Sequence, residues 1–214
     1  VCFSCFHIYT AFFGVLDAHL QRAVHLGFVL TLLYLLYPFL SRQRRDRFGL
    51  TDLIPVVLSL GALGYLVYFY PQLVLRSGLM TTMDVVVGTI GIFLIFEAGR
   101  RIIGWPMVII AGVFIFYAFF GEIMPDMLAH RNLKLSQLVS HLWFTTEGIF
   151  GIPLGVSSTF VFMFLLFAAF VETTGIGKLF IDLGNAVAGW ASGGPAKVAV
   201  ITSALEGTVE GSSV

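Results

Sequence analysis

Residues 152–171 read Ile-Pro-Leu-Gly-Val-Ser-Ser-Thr-Phe-Val-Phe-Met-Phe-Leu-Leu-Phe-Ala-Ala-Phe-Val, and these twenty residues carry no charge. A helix needs about 20 predominantly apolar residues to cross the hydrocarbon core of a bilayer, so this stretch predicts a membrane-spanning helix. Further apolar runs predict spans at 20–39, 53–70, 84–103 and 106–120. Apolar runs at the two ends, which we interpret as partial spans of a longer protein, bring the expected total to about five to seven transmembrane helices.

The overall composition indicates the same class of protein. The chain is 58% hydrophobic and 11% charged, whereas soluble domains carry roughly 25% charged residues. Its 23 glycines agree with this class, because glycine is more frequent in membrane helices than in soluble ones. We therefore predict an all-α integral membrane protein without a soluble catalytic domain. The formal net charge of zero gives no indication of a nucleic-acid partner.

Basic residues predict which side of the membrane each loop faces. Four arginines lie within residues 41–47, and Arg100 and Arg101 end a later span. Cytoplasmic loops carry an excess of Lys and Arg, so we place both segments inside. Seven basic residues then lie inside and four lie outside, the latter being Arg22, Arg76, Arg131 and Lys134. Glu97 precedes Arg100 and Arg101 by three and four residues, which predicts an ion pair at a cytoplasmic helix end.

Two regions of the chain differ in composition. Up to residue 121 the spans consist of bulky aliphatic and aromatic residues, with charges only at their ends. Residues 122–144 are polar, and apolar residues at helical spacing over 135–144 predict an amphipathic helix in the outer interface. From residue 145 onward Gly, Ser and Thr are frequent within apolar sequence. We therefore divide the chain into scaffold helices (1–121), an external linker (122–144) and closely packed, moving helices (145–214).

The end of the sequence combines small side chains, hydroxyl groups and two carboxylates. Residues 206–214 read Glu-Gly-Thr-Val-Glu-Gly-Ser-Ser-Val and follow an apolar run. Glu206 and Glu210 are four residues apart, so they share one face if this segment is helical. A carboxylate at membrane depth costs about 3 kcal/mol or more and marks a functional site by default. Hydroxyl and carbonyl oxygens can surround a small cation, although small residues also simply permit close helix packing.

Several motifs resemble those of one transporter family. They are EAGRRIIGWP (97–106), LAHR (128–131), TTEGIFGIPLGVS (145–157), GGPAKVA (193–199) and GSSV (211–214). The block at 145–157 together with Gly-Gly-Pro-Ala-Lys is specific, and the pattern covers nearly the whole chain. The sequence resembles the fused permease of tripartite ATP-independent periplasmic (TRAP) transporters, in particular those that work with TAXI-type binding proteins. Residues 1–121 then correspond to the small subunit and residues 145–214 to the start of the large one.

This resemblance implies a function for the end of the sequence. Members of the family take up organic acid anions that a periplasmic binding protein delivers, usually with sodium as the coupling ion. Uptake proceeds by an elevator-type movement in the bacterial inner membrane, and a Gly-Ser-Ser stretch forms a hairpin tip near a sodium site. By position, Gly211, Ser212 and Ser213 are therefore candidate ion or substrate ligands, the two serines for sodium. Gly207 and Thr208 lie on the arm that approaches this tip, and no cofactor other than sodium is implied.

Glu206 and Glu210 depart from the family pattern, in which apolar or small residues are expected. They are either carboxylates that couple ion or proton movement in this protein, or alterations of this sequence. Two other functions compete with transport: a membrane scaffold or assembly protein, and an intramembrane enzyme that uses both glutamates. The sequence has no paired His, Ser-Lys or metal motif, which argues against the enzyme.

Overall fold

The computed structural model describes residues 1–39, 50–76, 79–125 and 127–210. Within these ranges it contains helices and no strand, which confirms the predicted all-α class. A π-helical segment (Ser157–Val161) joins α7 to α8, and a short 3-10 helix (Gly121–Ile123) follows α5. The α-helices are α1 (Cys2–Phe13), α2 (Ala18–Leu36), α3 (Leu50–Leu75), α4 (Thr82–Ile102), α5 (Trp105–Phe119), α6 (Leu135–Phe144), α7 (Ile152–Val156), α8 (Phe162–Thr174), α9 (Ile176–Ala188) and α10 (Gly194–Glu210).

Four helices in the described part of the chain are long and apolar enough to cross a bilayer. They are Ala18–Leu36, Asp52–Leu75, Thr82–Ile102 and Ile152–Thr174. Two further apolar helices, α1 and α5, are shorter. The 15 residues of α5 rise about 22 Å, which is less than the roughly 30 Å of a hydrocarbon core. The class of protein is thus confirmed, with four full-length spans against the expected five to seven.

Most observed helix bounds lie within a few residues of the predicted ones, and α6 agrees at both ends. The span predicted at 53–70 extends further than expected, because α3 continues through Pro71 to Leu75. Proline removes one backbone donor and crowds the preceding turn, so it commonly ends a helix. Here tertiary hydrogen bonds hold the neighbouring turns of α3. The hydroxyl of Tyr65 donates to Asp84 Oδ1 over 2.6 Å, and that of Tyr70 donates to Asp17.

Asp17 precedes α2 and serves as its N-terminal cap. Its Oδ1 accepts the backbone N–H of His19 at 3.1 Å in addition to the Tyr70 hydroxyl. The bond from Tyr70, followed by that from the His19 amide, lowers the pKa of Asp17 below its usual value. One carboxylate therefore fixes the start of α2 against the C-terminal end of α3.

Contacts divide the chain into two compact units, and the larger one comprises Val15–Gly155. In this unit α2 packs on α3, α3 on α4, and α4 on α6. Its core includes the fully buried side chains of Leu30, Tyr34, Leu66, Trp143 and Phe150. The amphipathic helix α6 therefore buries its apolar face against α4. These units do not follow the division at residues 121 and 144, which stays a prediction about function.

A buried ion network joins three helices at the end predicted to face the cytoplasm. Arg101 donates to Glu97 at 2.8 Å, to Asp52 at 3.0 Å and to the carbonyl oxygen of Tyr37 at 2.9 Å. Arg100 donates two hydrogen bonds to Glu97, at 2.7 and 2.8 Å. The predicted Glu97 ion pair is thus confirmed, and Asp52 is a further partner from α3. The side chains of Arg101 and Asp52 are only 2% and 5% exposed, so this network lies inside the unit.

The smaller unit consists of Val1–Gly14 and the chain from Val156 onward. In it, α1 packs on the π-helical segment and on α8, while α9 packs on α10. A left-handed glycine, Gly175 (φ +79°), separates α8 from α9, and this conformation favours glycine over other residues. This unit contains the candidate site residues.

Candidate functional site

Helices α9 and α10 form an antiparallel hairpin. Its turn, residues 189–193, ends at Gly193, whose φ of +73° lies in the left-handed region. Gly184 of α9 faces Val198 and Thr202 of α10, and Gly177, near the start of α9, faces Glu206, near the end of α10. The small-residue run at the end of the sequence is therefore one arm of a helical hairpin, continuous through Glu210.

Gly184 marks a close approach between the two arms. A Cβ atom on Gly184 would lie 2.9 Å from Thr202 Oγ1 and 3.2 Å from Val198 Cγ1. Thr202 is buried, and its hydroxyl donates to the carbonyl oxygen of Phe180 at 3.4 Å. Membrane helices associate through such close packing and interhelical hydrogen bonds, because lipid provides no hydrophobic drive between them. In this part of α10, small and hydroxyl residues serve helix packing.

We expect Gly184→Leu to separate the arms of this hairpin. The larger side chain cannot be accommodated against Thr202 and Val198, and overpacking of this kind costs roughly 1–3 kcal/mol. The measurement is the apparent unfolding temperature of the purified protein in detergent. Gly64→Leu is the matched control, since a Cβ atom on Gly64 of α3 would meet nothing within 4 Å. Equal losses in both variants would contradict the expected result.

Glu206 faces the first turn of α9. Its Oε1 lies 3.9 Å from the position of a Cβ atom on Gly177, and the glutamate is half-buried. The first turn of a helix carries N–H groups without intrahelical acceptors and a partial positive charge. The N-cap of α9, Gly175, provides no side-chain acceptor for them. The carboxylate of Glu206 is therefore placed where the dipole of α9 favours negative charge.

The other predicted site residues lie around the end of α10. Gly207 faces open space, and the exposed Thr208 donates its hydroxyl to the carbonyl oxygen of Leu205 at 2.6 Å. Glu210 is the last residue of α10, one turn beyond Glu206 along the helix. Gly211, Ser212 and Ser213 lie outside the described residues. Glu206, Gly207 and Thr208 are therefore neighbours on a helix end, with oxygen atoms of the kind that a hard cation such as sodium prefers.

The sequence interpretation missed a polar contact between α1 and the π-helical segment. The ring of His7 hydrogen-bonds the backbone of Ser158, and both residues are 1% exposed. The His7 ring also packs on that of Phe162, with 4.1 Å between the centroids. π-Helical turns inside α-helices are rare and frequent at functional sites. The available signal was the hydroxyl triplet Ser157-Ser158-Thr159 within an apolar span, but nothing in the sequence indicates its pairing with His7.

Histidine, cysteine and acidic side chains form no group of three or more suited to a metal within the described ranges. Glu206 and Thr208 supply oxygen ligands at the end of α10 that leads to the predicted ion-binding segment 211–213, opposite the end of α10 that joins the turn at 189–193. Together with the four full-length apolar helices, this hairpin defines a polytopic helical membrane protein whose small-residue arms carry acidic groups.

Comparison with known proteins identifies the family. The family model "Tripartite ATP-independent periplasmic transporter, DctM component" matches residues 90–214, from α4 to the last residue of the sequence. The chain belongs to this family of transporters, which confirms the resemblance to the TRAP permeases. No curated protein and no solved structure matches the chain.

Proposed function

We propose that this chain forms part of a TRAP permease that takes up organic acid anions with sodium as the coupling ion. The observation that carries the proposal is the family match over residues 90–214, which includes the hairpin and the Gly-Ser-Ser segment. A periplasmic binding protein of the TAXI type delivers the anion, and the bacterial inner membrane is the location. The bilayer and the remainder of the permease are the other partners. The chain has no enzymatic activity in this proposal.

In this proposal the scaffold helices and the moving helices occupy different segments of the chain. Residues 1–121 provide scaffold helices, residues 122–144 the external linker, and residues 145–214 belong to the large subunit and its first hairpin. Rigid packing in the larger unit, with its buried network around Arg101, supports a scaffold role. The compact α9–α10 hairpin supports movement of its two arms as one body in an elevator-type mechanism.

The end of α10 is the proposed ion site. Ser212 and Ser213 are the sodium ligands, and Gly207, Thr208 and Gly211 provide backbone or hydroxyl oxygens close to them. Glu206 and Glu210 add negative charge beside this group on one helix face. Carboxylates at membrane depth are costly unless paired. A bound cation would compensate both charges, and the first turn of α9 would also compensate that of Glu206.

Uptake by the full-length permease in proteoliposomes, together with its binding protein, tests the proposal. We expect accumulation from a panel of radiolabelled mono- and dicarboxylates under an inward sodium gradient, and none when choline replaces sodium. Ser212→Ala should reduce the initial rate at least roughly tenfold at low sodium, whereas Ser203→Ala, on an exposed part of α10, should retain it. Accumulation driven by a proton gradient alone would contradict sodium coupling. No accumulation of any anion would favour a non-transporting scaffold or assembly protein.

A further inference from the structure

A pocket of about 810 Å³ lies in the larger unit, and none of the candidate ion-site residues lines it. It is bounded by the outer end of α3, the start of α4 and the polar face of α6. Its lining includes Arg76, Thr81, Ser136, Gln137, Ser140 and His141. Tyr65, Tyr68 and Tyr70 lie on α3 at the same end of the unit, and tyrosines are enriched at membrane–water interfaces. Since this end lies opposite Arg100 and Arg101, which are predicted to face the cytoplasm, we place the pocket at the outer interface.

The pocket contains several hydrogen-bond donors and one arginine. Arg76 brings a guanidinium group whose Nε is buried and has no hydrogen-bond partner within the described residues. Gln137, which lines the pocket, uses its Oε1 to accept the backbone N–H of Lys134 at 3.0 Å, so its amide N–H groups are not needed for this contact. The hydroxyls of Ser136 and Ser140 follow on the same face of α6 and can donate as well.

One nearby carboxylate, Asp84, pairs with the arginine of this pocket but does not line it. Asp84 is fully buried and already accepts hydrogen bonds from Tyr65 at 2.6 Å and from Thr81 at 2.7 and 2.8 Å. Arg76 Nη2 donates to Asp84 Oδ1 at 3.4 Å, and this ion pair holds the guanidinium group at the pocket while its Nε keeps no partner within the described residues. Glu147 lies outside the lining, 3.7 Å from His141, and is largely exposed. No carboxylate of the described residues lines the pocket, so its chemistry suits an oxyanion.

We propose that this pocket binds the phosphate group of a phospholipid from the outer leaflet. A phosphate offers several acceptors to a guanidinium group and to neighbouring hydroxyl and amide donors. The pocket is larger than one phosphate, and Leu79, which is 76% exposed, adds an apolar contact at its edge. A headgroup attached to acyl chains can fill the larger pocket and contact Leu79, whereas a free anion does not use the apolar contact. The proposal depends on the larger unit and on membrane location, and not on sodium coupling or on the transported anion.

Lipid titration of the purified full-length protein, followed by native mass spectrometry, tests the proposal. The probe is dioleoyl phosphatidylglycerol, and dioleoylglycerol, which lacks the phosphate, is the matched lipid. We expect the phospholipid to bind at least roughly tenfold more tightly than dioleoylglycerol, and Arg76→Gln to remove this preference. Arg131→Gln, which changes an external arginine outside the lining, is the control and should bind like the unchanged protein.

A second variant separates loss of binding from loss of structure. Gln137→Glu keeps the acceptor for the Lys134 N–H, and with it the start of α6, but places a negative charge in the pocket. We expect Gln137→Glu to bind the phospholipid roughly tenfold more weakly than the unchanged protein does, and to have the same unfolding temperature. Unchanged binding in Gln137→Glu, or equal binding of dioleoylglycerol, would overturn the proposal. Glycerol 3-phosphate that binds as tightly as the phospholipid would also overturn it, because the pocket would then be a site for a soluble anion. Equally tight binding of a glutamate-rich peptide would overturn it as well, because it would assign the pocket to an acidic protein.

Discussion

Arg101→Gln is expected to destabilise the protein by about 3–5 kcal/mol, the cost of breaking a buried ion pair. Arg101 donates hydrogen bonds to Asp52, Glu97 and the carbonyl oxygen of Tyr37, and its guanidinium carbon lies 4.8 Å from the ring centroid of Tyr34. A neutral amide cannot replace this charge, so the carboxylate of Asp52 would stay buried without its counter-charge. Because the network joins α2, α3 and α4, its loss weakens three helices together.

Arg100→Gln is the matched control for this prediction. Arg100 pairs with the same Glu97, but its side chain is 21% exposed against 2% for Arg101. A partly solvated pair is worth roughly 0–1 kcal/mol, so the control should lose little. Arg101→Lys should fall between the two, since an ammonium group keeps the charge but lacks the planar set of donors. The measurement is unfolding in detergent followed by circular dichroism, and equal losses for Arg100→Gln and Arg101→Gln would contradict the expected order.

Local patterns in the sequence predicted much of the fold. The i,i+3 and i,i+4 spacing of Glu97 with the two arginines gave the ion pair, and apolar spacing gave α6 with its observed bounds. What such patterns miss are partners distant in sequence. Asp52 precedes Arg101 by 49 residues, and no periodicity relates them. The passage of α3 through Pro71 was not predicted either, and the hydrogen bonds of Tyr65 and Tyr70 beside it join segments distant in sequence.

The candidate site was predictable to a similar extent. Helical spacing placed Glu206 and Glu210 on one face, and the small residues of 194–210 indicated close packing. The sequence did not indicate that Glu206 faces the first turn of α9, since this depends on the length and geometry of the turn at 189–193. The contact of His7 with Ser158 was missed because it joins residues about 150 positions apart and requires a change of helical register at the π-helical segment.

The second large effect is expected at Gly91, where α4 packs against α6. A Cβ atom on Gly91 would lie 2.3–2.6 Å from three ring atoms of Trp143, and this indole is fully buried. The ring is held among core residues, including Phe150 at 5.3 Å between ring centroids, so it cannot move aside cheaply. Gly91→Ala should therefore destabilise the protein by about 1–3 kcal/mol or more, although alanine by itself favours a helix over glycine by roughly 1 kcal/mol.

Gly99→Ala separates the two contributions in the prediction for Gly91. It makes the same chemical change in the same helix, but its Cβ atom would meet only Val108 Cγ2, at an ordinary 3.9 Å. This control should be neutral or slightly stabilising. In a Trp105→Phe/Trp190→Phe background, where Trp143 is the remaining tryptophan of the chain, Gly91→Ala should also shift the fluorescence emission to longer wavelength as the indole leaves its buried site. An unshifted emission together with unchanged stability would contradict this prediction, because α6 would then accommodate the methyl group. The close contact of Gly91 with Trp143 would in that case not determine how α6 packs on α4.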